Sequence, residues 1–251
     1  MTETSTQASE QAARLVAEAR HAVALTGAGV STESGIPDFR SPGGLWERFD
    51  PMEYATLSCF LEEPEKAWRL YRALGESLAG SRPNPAHLAL AELEGAGRLA
   101  GIVTQNVDGL HQAAGSKRVL EIHGSWRHLE CLGCGTATPL TPERVRGADV
   151  PRCRSCSRPL KPGVVLFGEA VRDRAAIGAL IASCDLLIVV GTSAEVAPAA
   201  GLPDAVRGSG GRIVAFDLAQ RLDSDLFVPG PVGTTLPAVV RAVLADREGL
   251  A

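Results

Sequence analysis

The 251-residue sequence predicts an α/β fold: a doubly wound parallel sheet into which a small metal-binding module and a helical segment are inserted. Three observations carry this expectation. Short runs that are apolar throughout, rather than alternating, recur between helical stretches, as strands buried on both faces require. The first run leads straight into a glycine-rich turn, LTGAGVSTESGIPDFR from Leu25 to Arg40. Two C-x-x-C pairs, Cys131 with Cys134 and Cys153 with Cys156, stand eighteen residues apart.

In chain order, strands are expected at 22–25, 101–104, 119–122, 164–167, 186–190 and 212–216. Helices are expected at about 7–20, 64–79, 85–94, 173–183, 198–207 and 236–247, with Asn84-Pro85 as an N-cap followed by proline at the first helical position. Such a sheet binds its ligand outside the carboxyl ends of the strands. Polar motifs fall there: TG after the first strand, QNVDGLH after the second, HG after the third and GTS after 186–190. The expected organisation is a nucleotide-binding domain from 12–40, 84–125 and 161–251, a helical insertion at 41–83 and a zinc module at 126–160.

Composition narrows the function classes. At 45% hydrophobic, with mean hydropathy near zero, the chain can bury a full core. A net charge of −4 argues against nucleic acid or an anionic membrane as the main partner. Residues 1–11 are polar, without the basic and apolar regions of a signal peptide, and the longest apolar strand is far too short to span a bilayer. The expectation is a soluble cytoplasmic protein with a disordered leader at 1–11.

The glycine-rich turn reads as a nucleotide site. Gly27 and Gly29 permit a sharp turn and close approach to a pyrophosphate, and a helix starting near Ser31 would aim its N–H groups at the anion. The dinucleotide fingerprint G-x-G-x-x-G is not met, since Thr32 occupies the third glycine position and Gly35 comes three residues late. The continuation Pro37-Asp38-Phe39-Arg40, a rigid turn with an acid, a ring and a base, has no place in an ordinary dehydrogenase turn.

The cysteine spacing matches a four-thiolate zinc site, and a closed set of four thiolates makes the metal structural rather than catalytic. Cys59 and Cys184 lie in apolar contexts and read as core fillers. Gln105, Asn106 and Asp108 offer amide and carboxylate groups that can bind a ribose or a carboxamide. His123 ends the next strand and should project into the same crevice, where an imidazole is the natural base at neutral pH. His21, His87, His111 and His128 read as structural or solvated. The groups suit cleavage of a nicotinamide–ribose bond rather than hydride transfer.

The ordered series GAGVSTESGIPDFR, TQNVDGLH, EIHG, the paired C-x-x-C, VVLFGE and GTSAEVAPAA resembles that of the sirtuins, NAD-dependent protein-lysine deacylases, from about Ala22 to the final helix. The resemblance implies a Rossmann-like large domain, a small zinc domain and an acyl-lysine peptide lying as a strand in the cleft between them. It implies attack of the acyl carbonyl oxygen on the ribose carbon as nicotinamide leaves, His123 as base toward a ribose hydroxyl, and free lysine and O-acyl-ADP-ribose as products. Matched by position, Gly27, Ala28, Gly29 and Ser31 form the phosphate loop, Pro37 to Arg40 a flexible cofactor loop, and Gln105, Asn106 and Asp108 the nicotinamide end. Gly191, Thr192, Ser193 and Val232 match further cofactor contacts, and Val165 and Phe167 the acyl-lysine tunnel, where a backbone carbonyl accepts the substrate's amide proton. Where sirtuins commonly carry Asn-x-Glu against the adenine ribose, this chain has Asp217-Leu218-Ala219, which implies weaker binding.

GPVGTTLP and YATLSCF are similar to the class III branch, whose members remove succinyl and malonyl groups with a Tyr-x-x-Arg pair. Tyr71 matches the tyrosine, but Leu74 stands in the arginine's place, while Ala55 matches a small tunnel residue. The expected substrates are acetyl, propionyl or butyryl lysine in preference to succinyl lysine. Two other readings remain: an ADP-ribosyltransferase or NAD hydrolase on the same fold, and a non-catalytic module binding nucleic acid through Arg144, Arg146, Arg152, Arg154, Arg158 and Lys161.

Overall fold

The computed structural model describes residues 3–38 and 44–248. Nine strands form two sheets: β1 (Ala22–Thr26), β2 (Ile102–Thr104), β3 (Val119–Glu121), β4 (Gly124–Glu130), β5 (Ala137–Pro139), β6 (Lys161–Val164), β7 (Leu186–Val190), β8 (Arg212–Asp217) and β9 (Leu226–Pro229). The large sheet is parallel throughout, in the order β3-β2-β1-β7-β8-β9. The chain therefore winds outward in one direction from β1 and in the other from β7, and the crevice between these two central strands is the switch point where such sheets bind ligands.

The apolar runs form buried strands because both faces are covered. Ala22, Ala24, Leu186, Ile188 and Val190 point into one core with the helices Glu3–Glu18, Pro85–Gly95 and Val232–Glu248. Val23, Leu25, Leu187 and Val189, one residue out of phase, point into a second core with Arg174–Ala182 and Leu202–Gly208. The helix Pro85–Gly95 starts as its sequence dictates. Asn84 accepts from the backbone N–H of Ala86 at 2.9 Å, Pro85 fills the first turn, and His87 completes a capping box.

The small sheet is antiparallel, in the order β5-β4-β6, and carries the four cysteines at one end. Its docking partner is the helix Pro64–Leu78. Trp68 Nε1 donates to the Leu160 carbonyl at 2.9 Å, and Arg72 donates to the carbonyls of Gly147 and Ala148. Trp68, Tyr71, Leu129, Cys131, Cys153 and Leu160 share one hydrophobic cluster, so helical insertion and cysteine module bury each other.

Several expectations change. The strand expected at 164–167 is displaced: β6 spans Lys161–Val164 and belongs to the small sheet, because Gly124 and Gly163 let β4 and β6 approach so closely that a Cβ on Gly124 would meet the Gly163 carbonyl oxygen. The helix expected at about 7–20 is present and starts earlier, at Glu3, so the stretch 3–11 read as part of a disordered leader is helical. Ala8, Ala12 and Val16 make an i, i+4 stripe that the polar residues around it masked, and it packs against the C-terminal helix. Strand β9 was not anticipated, since LFVP is short and ends in proline, which only an edge tolerates. The helix expected near Ser31 is a seven-residue 3-10 turn, Ala28–Ser34. Among the described residues no helix is long and apolar enough to cross a membrane.

Candidate active site

A cleft of about 900 Å³ opens at the carboxyl ends of β1, β2, β7 and β8. Gly27, Ala28 and Gly29 line it from β1, Gln105 and Asn106 from β2, Gly191, Thr192 and Ser193 from β7, and Asp217 from β8, with Val232 and His123 beside them. These are residues the sequence had singled out, from six separate segments.

The glycines do something the sequence did not disclose. The Gly29 N–H donates to the Gly191 carbonyl at 2.9 Å, and a Cβ on Gly29 would stand 2.8 Å from the Gly191 Cα. Gly191 itself has φ +60. The turns after β1 and β7 are thus in backbone contact, and no side chain fits between them.

Behind this contact lies a buried polar network. Asn106 Nδ2 donates to the Gly27 carbonyl at 3.1 Å and to Ser31 Oγ at 3.0 Å, and the Ser31 hydroxyl donates to Asp108 Oδ2 at 2.7 Å. Thr26 and Thr104, partners in the β1–β2 register, are joined through their hydroxyls at 2.8 Å, and the Asn106 N–H donates to Thr104 Oγ1. Gln105 Nε2 donates to Thr192 Oγ1 at 2.8 Å, tying the β2 loop to the β7 loop. His87 and His111, read as structural or solvated, are buried in this network with ring centroids 4.8 Å apart. His87 faces Ser31, and His111 Nε2 meets Thr26 Oγ1 at 2.8 Å. Burial pushes His87 down to about 4, against the pull of Asp108, and His111 down to about 3, with its neighbour His87 adding to the effect.

His123 Nδ1 lies 3.1 Å from the Gln105 carbonyl. A carbonyl can only accept, so Nδ1 carries the proton and Nε2 is the basic nitrogen. Burial lowers the pKa of the ring below its usual value, partly offset by this hydrogen bond. Ser31 and Asp108 do not line the main cleft but an adjoining recess with Ala28, Ile36, Leu74 and Asn106. The recess measures about 20 Å³, so it must widen to admit a ring.

The far end of the cleft is apolar. Ala55, Tyr71 and Leu74 line it with Leu45, Trp46 and Leu70, and Val165 and Phe167 form its rim. Leu74 faces the cleft from the helix Pro64–Leu78. Arg69 is exposed, and Arg72 is engaged with the cysteine module. Leu45, Trp46 and Arg221 also line the cleft and were not anticipated, since they carry no motif, and so do Thr32 and Glu195, which lie within quoted motifs but were given no role. His87 could have been found, because N-P-x-H places it at the third position of a capping box. Asp38 lines the cleft and Pro37 is exposed, whereas Phe39 and Arg40 lie outside the described residues. Asp217 lines the cleft and accepts from the Leu218 N–H at 2.7 Å. Lys161, placed with the basic surface residues, is fully buried and paired with Glu130 at 2.7 Å and Glu169 at 3.1 Å, which removes it from any nucleic-acid face.

The sulfurs of Cys131, Cys134, Cys153 and Cys156 all lie within 4.8 Å of one another, with Cys131 to Cys156 at 3.4 Å and Cys134 to Cys153 at 3.6 Å. Tetrahedral zinc with bonds of about 2.3 Å needs sulfurs slightly under 4 Å apart, so the four residues fit a structural Zn²⁺.

Fold and site together define a nucleotide-binding α/β protein with a structural metal module. The Sir2 family model matches residues 27–198, and the chain belongs to the Sir2 family. It is 44% identical over 246 residues to the NAD-dependent protein deacylase 2 of Pyrobaculum aerophilum, covering 95% of this chain and 98% of the relative. Among solved structures, a Sir2 homologue in complex with NAD superposes with a TM-score of 0.86 at 39% identity, over 96% of this chain and 95% of that one. A Sir2 protein bound to a myristoylated histone peptide gives 0.82 at 34% identity, over 97% and 99%.

Two expected outcomes follow from this geometry. Chelation of zinc, or Cys153→Ser, should release about one equivalent of metal and lower the thermal midpoint, measured by metal analysis and calorimetry; an unchanged midpoint would remove the structural role. Because His87 and His111 are held neutral, the unfolded chain takes up protons below pH 6.5 while the native one does not. Stability should therefore fall as pH drops from 6.5 toward 4, by about 1.4 kcal/mol per pH unit for each ring once the unfolded rings are protonated, with His123 adding to the slope. Urea unfolding across pH 7 to 5 reads this slope, and His111→Gln should reduce it by about one proton.

Proposed function

We propose that the chain is an NAD-dependent protein-lysine deacylase, acting on acyl-lysine proteins in the cytoplasm. With one water it converts acyl-lysine and NAD into free lysine, nicotinamide and O-acyl-ADP-ribose. The observation that carries this reading is the tautomer of His123, whose basic Nε2 is left available by the Nδ1–H contact to Gln105 at the meeting point of the nucleotide and apolar halves of the cleft. NAD supplies the electrophilic ribose carbon and an acceptor hydroxyl. Gly27, Ala28, Gly29 and the loop at Gly191 to Ser193 hold its phosphates and ribose, and Asp217 and Val232 its adenosine end. Asn106 and Asp108 receive the carboxamide as the recess beside Ser31 widens, and Asp38 lines the cleft. His123 Nε2 takes the proton of a ribose hydroxyl.

The substrate chain lies along residues 165–168. The Phe167 carbonyl already accepts from the Leu57 N–H, so the Val165 carbonyl is assigned to the lysine amide proton. The acyl group enters the apolar end between Ala55, Tyr71 and Leu74. With leucine at position 74, the residues Ala55, Tyr71 and Leu74 offer a carboxylate no cation. A charged hydrogen bond is worth roughly 1.5 to 3 kcal/mol, so succinyl and malonyl groups are disfavoured relative to acetyl, propionyl and butyryl by about tenfold or more.

Replacing His123 by alanine should cut deacetylation by about a hundredfold or more while NAD still binds, measured by product mass spectrometry and calorimetry. In the wild type the acid limb of the rate should lie below pH 6.5, since the base is lost only as pH falls through the lowered pKa of His123. ADP-ribose formed without peptide would instead identify an NAD hydrolase. On an acyl-peptide panel acetyl-lysine should outpace succinyl-lysine, and Leu74→Arg should raise desuccinylation by about tenfold; a wild type faster on succinyl-lysine would overturn the preference.

A further inference from the structure

We propose that Glu169 is a positioning residue for the acyl-lysine amide: its carboxylate holds the peptide unit between Val165 and Leu166 and so fixes the direction of the Val165 carbonyl. This rests on the reading of that carbonyl as the acceptor of the substrate's amide proton. Glu169 Oε2 accepts the Leu166 N–H at 2.8 Å. That N–H and the Val165 carbonyl belong to one peptide unit, and in a planar trans peptide the two point in opposite directions. A partner fixed on the N–H therefore fixes where the carbonyl points.

The neighbouring backbone groups are engaged elsewhere. The Val164 carbonyl accepts from Lys161 Nζ at 2.7 Å, the Leu166 carbonyl from the Glu169 N–H at 2.9 Å, and the Phe167 carbonyl from the Leu57 N–H at 2.9 Å. On the donor side, the Val165 N–H reaches the His123 carbonyl at 2.8 Å and the Phe167 N–H the Ala55 carbonyl at 2.9 Å. Among the described residues nothing donates to the Val165 carbonyl, on a stretch, 164–169, that lines the cleft throughout. Gly168, with φ +94, turns the chain so that Glu169 comes back beside Leu166.

A carboxylate needed only to neutralise Lys161 does not require this arrangement. The buried lysine already reaches Glu130 at 2.7 Å, whereas its contact to Glu169 Oε2, at 3.1 Å, is longer than the bond from the Leu166 N–H to the same oxygen. The backbone N–H is thus the nearer partner, and the lysine shares the oxygen. Hydrogen bonding at one end of a peptide unit also strengthens acceptance at the other. The essential requirement is an acceptor oxygen at this point, which glutamine also supplies and alanine does not.

The test measures, by calorimetry, the binding of two peptides to the full-length protein. One is an acetyl-lysine peptide; the other carries oxygen in place of the lysine side-chain nitrogen and has no amide proton to donate. Wild type should prefer the amide about tenfold. In Glu169→Ala this preference should fall to about twofold while affinity for the ester peptide stays within about twofold of wild type, and Glu169→Gln should keep most of the preference, whatever its thermal midpoint. Should Glu169→Ala not fold, Lys161→Met with Glu169→Ala takes its place with the same expectation, since it removes the buried cation with its partner and leaves Glu130 on Arg172. A wild type without preference, an unchanged preference in the alanine variant, equal losses on both peptides, a glutamine variant that loses as much as alanine, or failure of both alanine variants to fold would each overturn the proposal. Wild-type O-acetyl-ADP-ribose production, assayed alongside, separates this from the deacylase reading: product with an unchanged preference in Glu169→Ala fails the positioning role alone, and no wild-type product fails both.

Discussion

The backbone contact between the turns after β1 and β7 is the constraint on which the rest of the site depends. These strands are neighbours at the switch point of the sheet, and Gly29 and Gly191 bring their loops within hydrogen-bond distance. Any side chain at either position would push the loops apart, and with them the floor of the cleft. The contact explains a glycine pattern that departs from the dinucleotide fingerprint. The glycines are spaced to meet another turn of the same chain, and Thr32 in the third glycine position does not disturb that contact.

From that floor the polar groups are held by one another. Asn106 reaches back to the Gly27 carbonyl, Ser31 joins Asn106 to Asp108, and Gln105 links the β2 loop to Thr192 while its carbonyl fixes the tautomer of His123. Buried groups so arranged are stabilising when each finds a partner and costly when one does not. Two neutral imidazoles under the loop make the arrangement sensitive to acid, as their lowered pKa values require.

The apolar half of the cleft depends on a different device. The helix Pro64–Leu78 supplies Tyr71 and Leu74 and is fastened to the cysteine module by Trp68 and Arg72. Opposite, the stretch carrying Val165 and Phe167 follows β6, whose Lys161 is buried between Glu130 and Glu169 and donates to the Val164 carbonyl at 2.7 Å. Removing either carboxylate would leave a buried charge undercompensated, so this network fixes the strand end from which the cleft rim continues. Metal site, helix and rim thus form one mechanical unit, although none of the four cysteines lines the cleft.

Much of this was legible in the sequence wherever the signal is local. Apolar runs bounded by turn residues specified the central strands, Asn84-Pro85 specified a helix start, and cysteine spacing specified a metal site, because each depends on residues a few positions apart. The glycine turn, QNVDGLH and His123 could be assigned to one crevice because parallel strands deliver their carboxyl ends to the same edge. Tertiary structure decided what depends on distant segments. It gave β6 to the small sheet through a glycine contact with β4, buried Lys161 out of a basic cluster, and packed residues 8–16 against the C-terminal helix. It also drew His87 and His111 from two helices into one network under Asp108, since the polarity of a histidine in sequence says nothing of which buried hydroxyl will face it. The residue types that line the cleft were set by the sequence alone; the partners that hold them in place were set by packing.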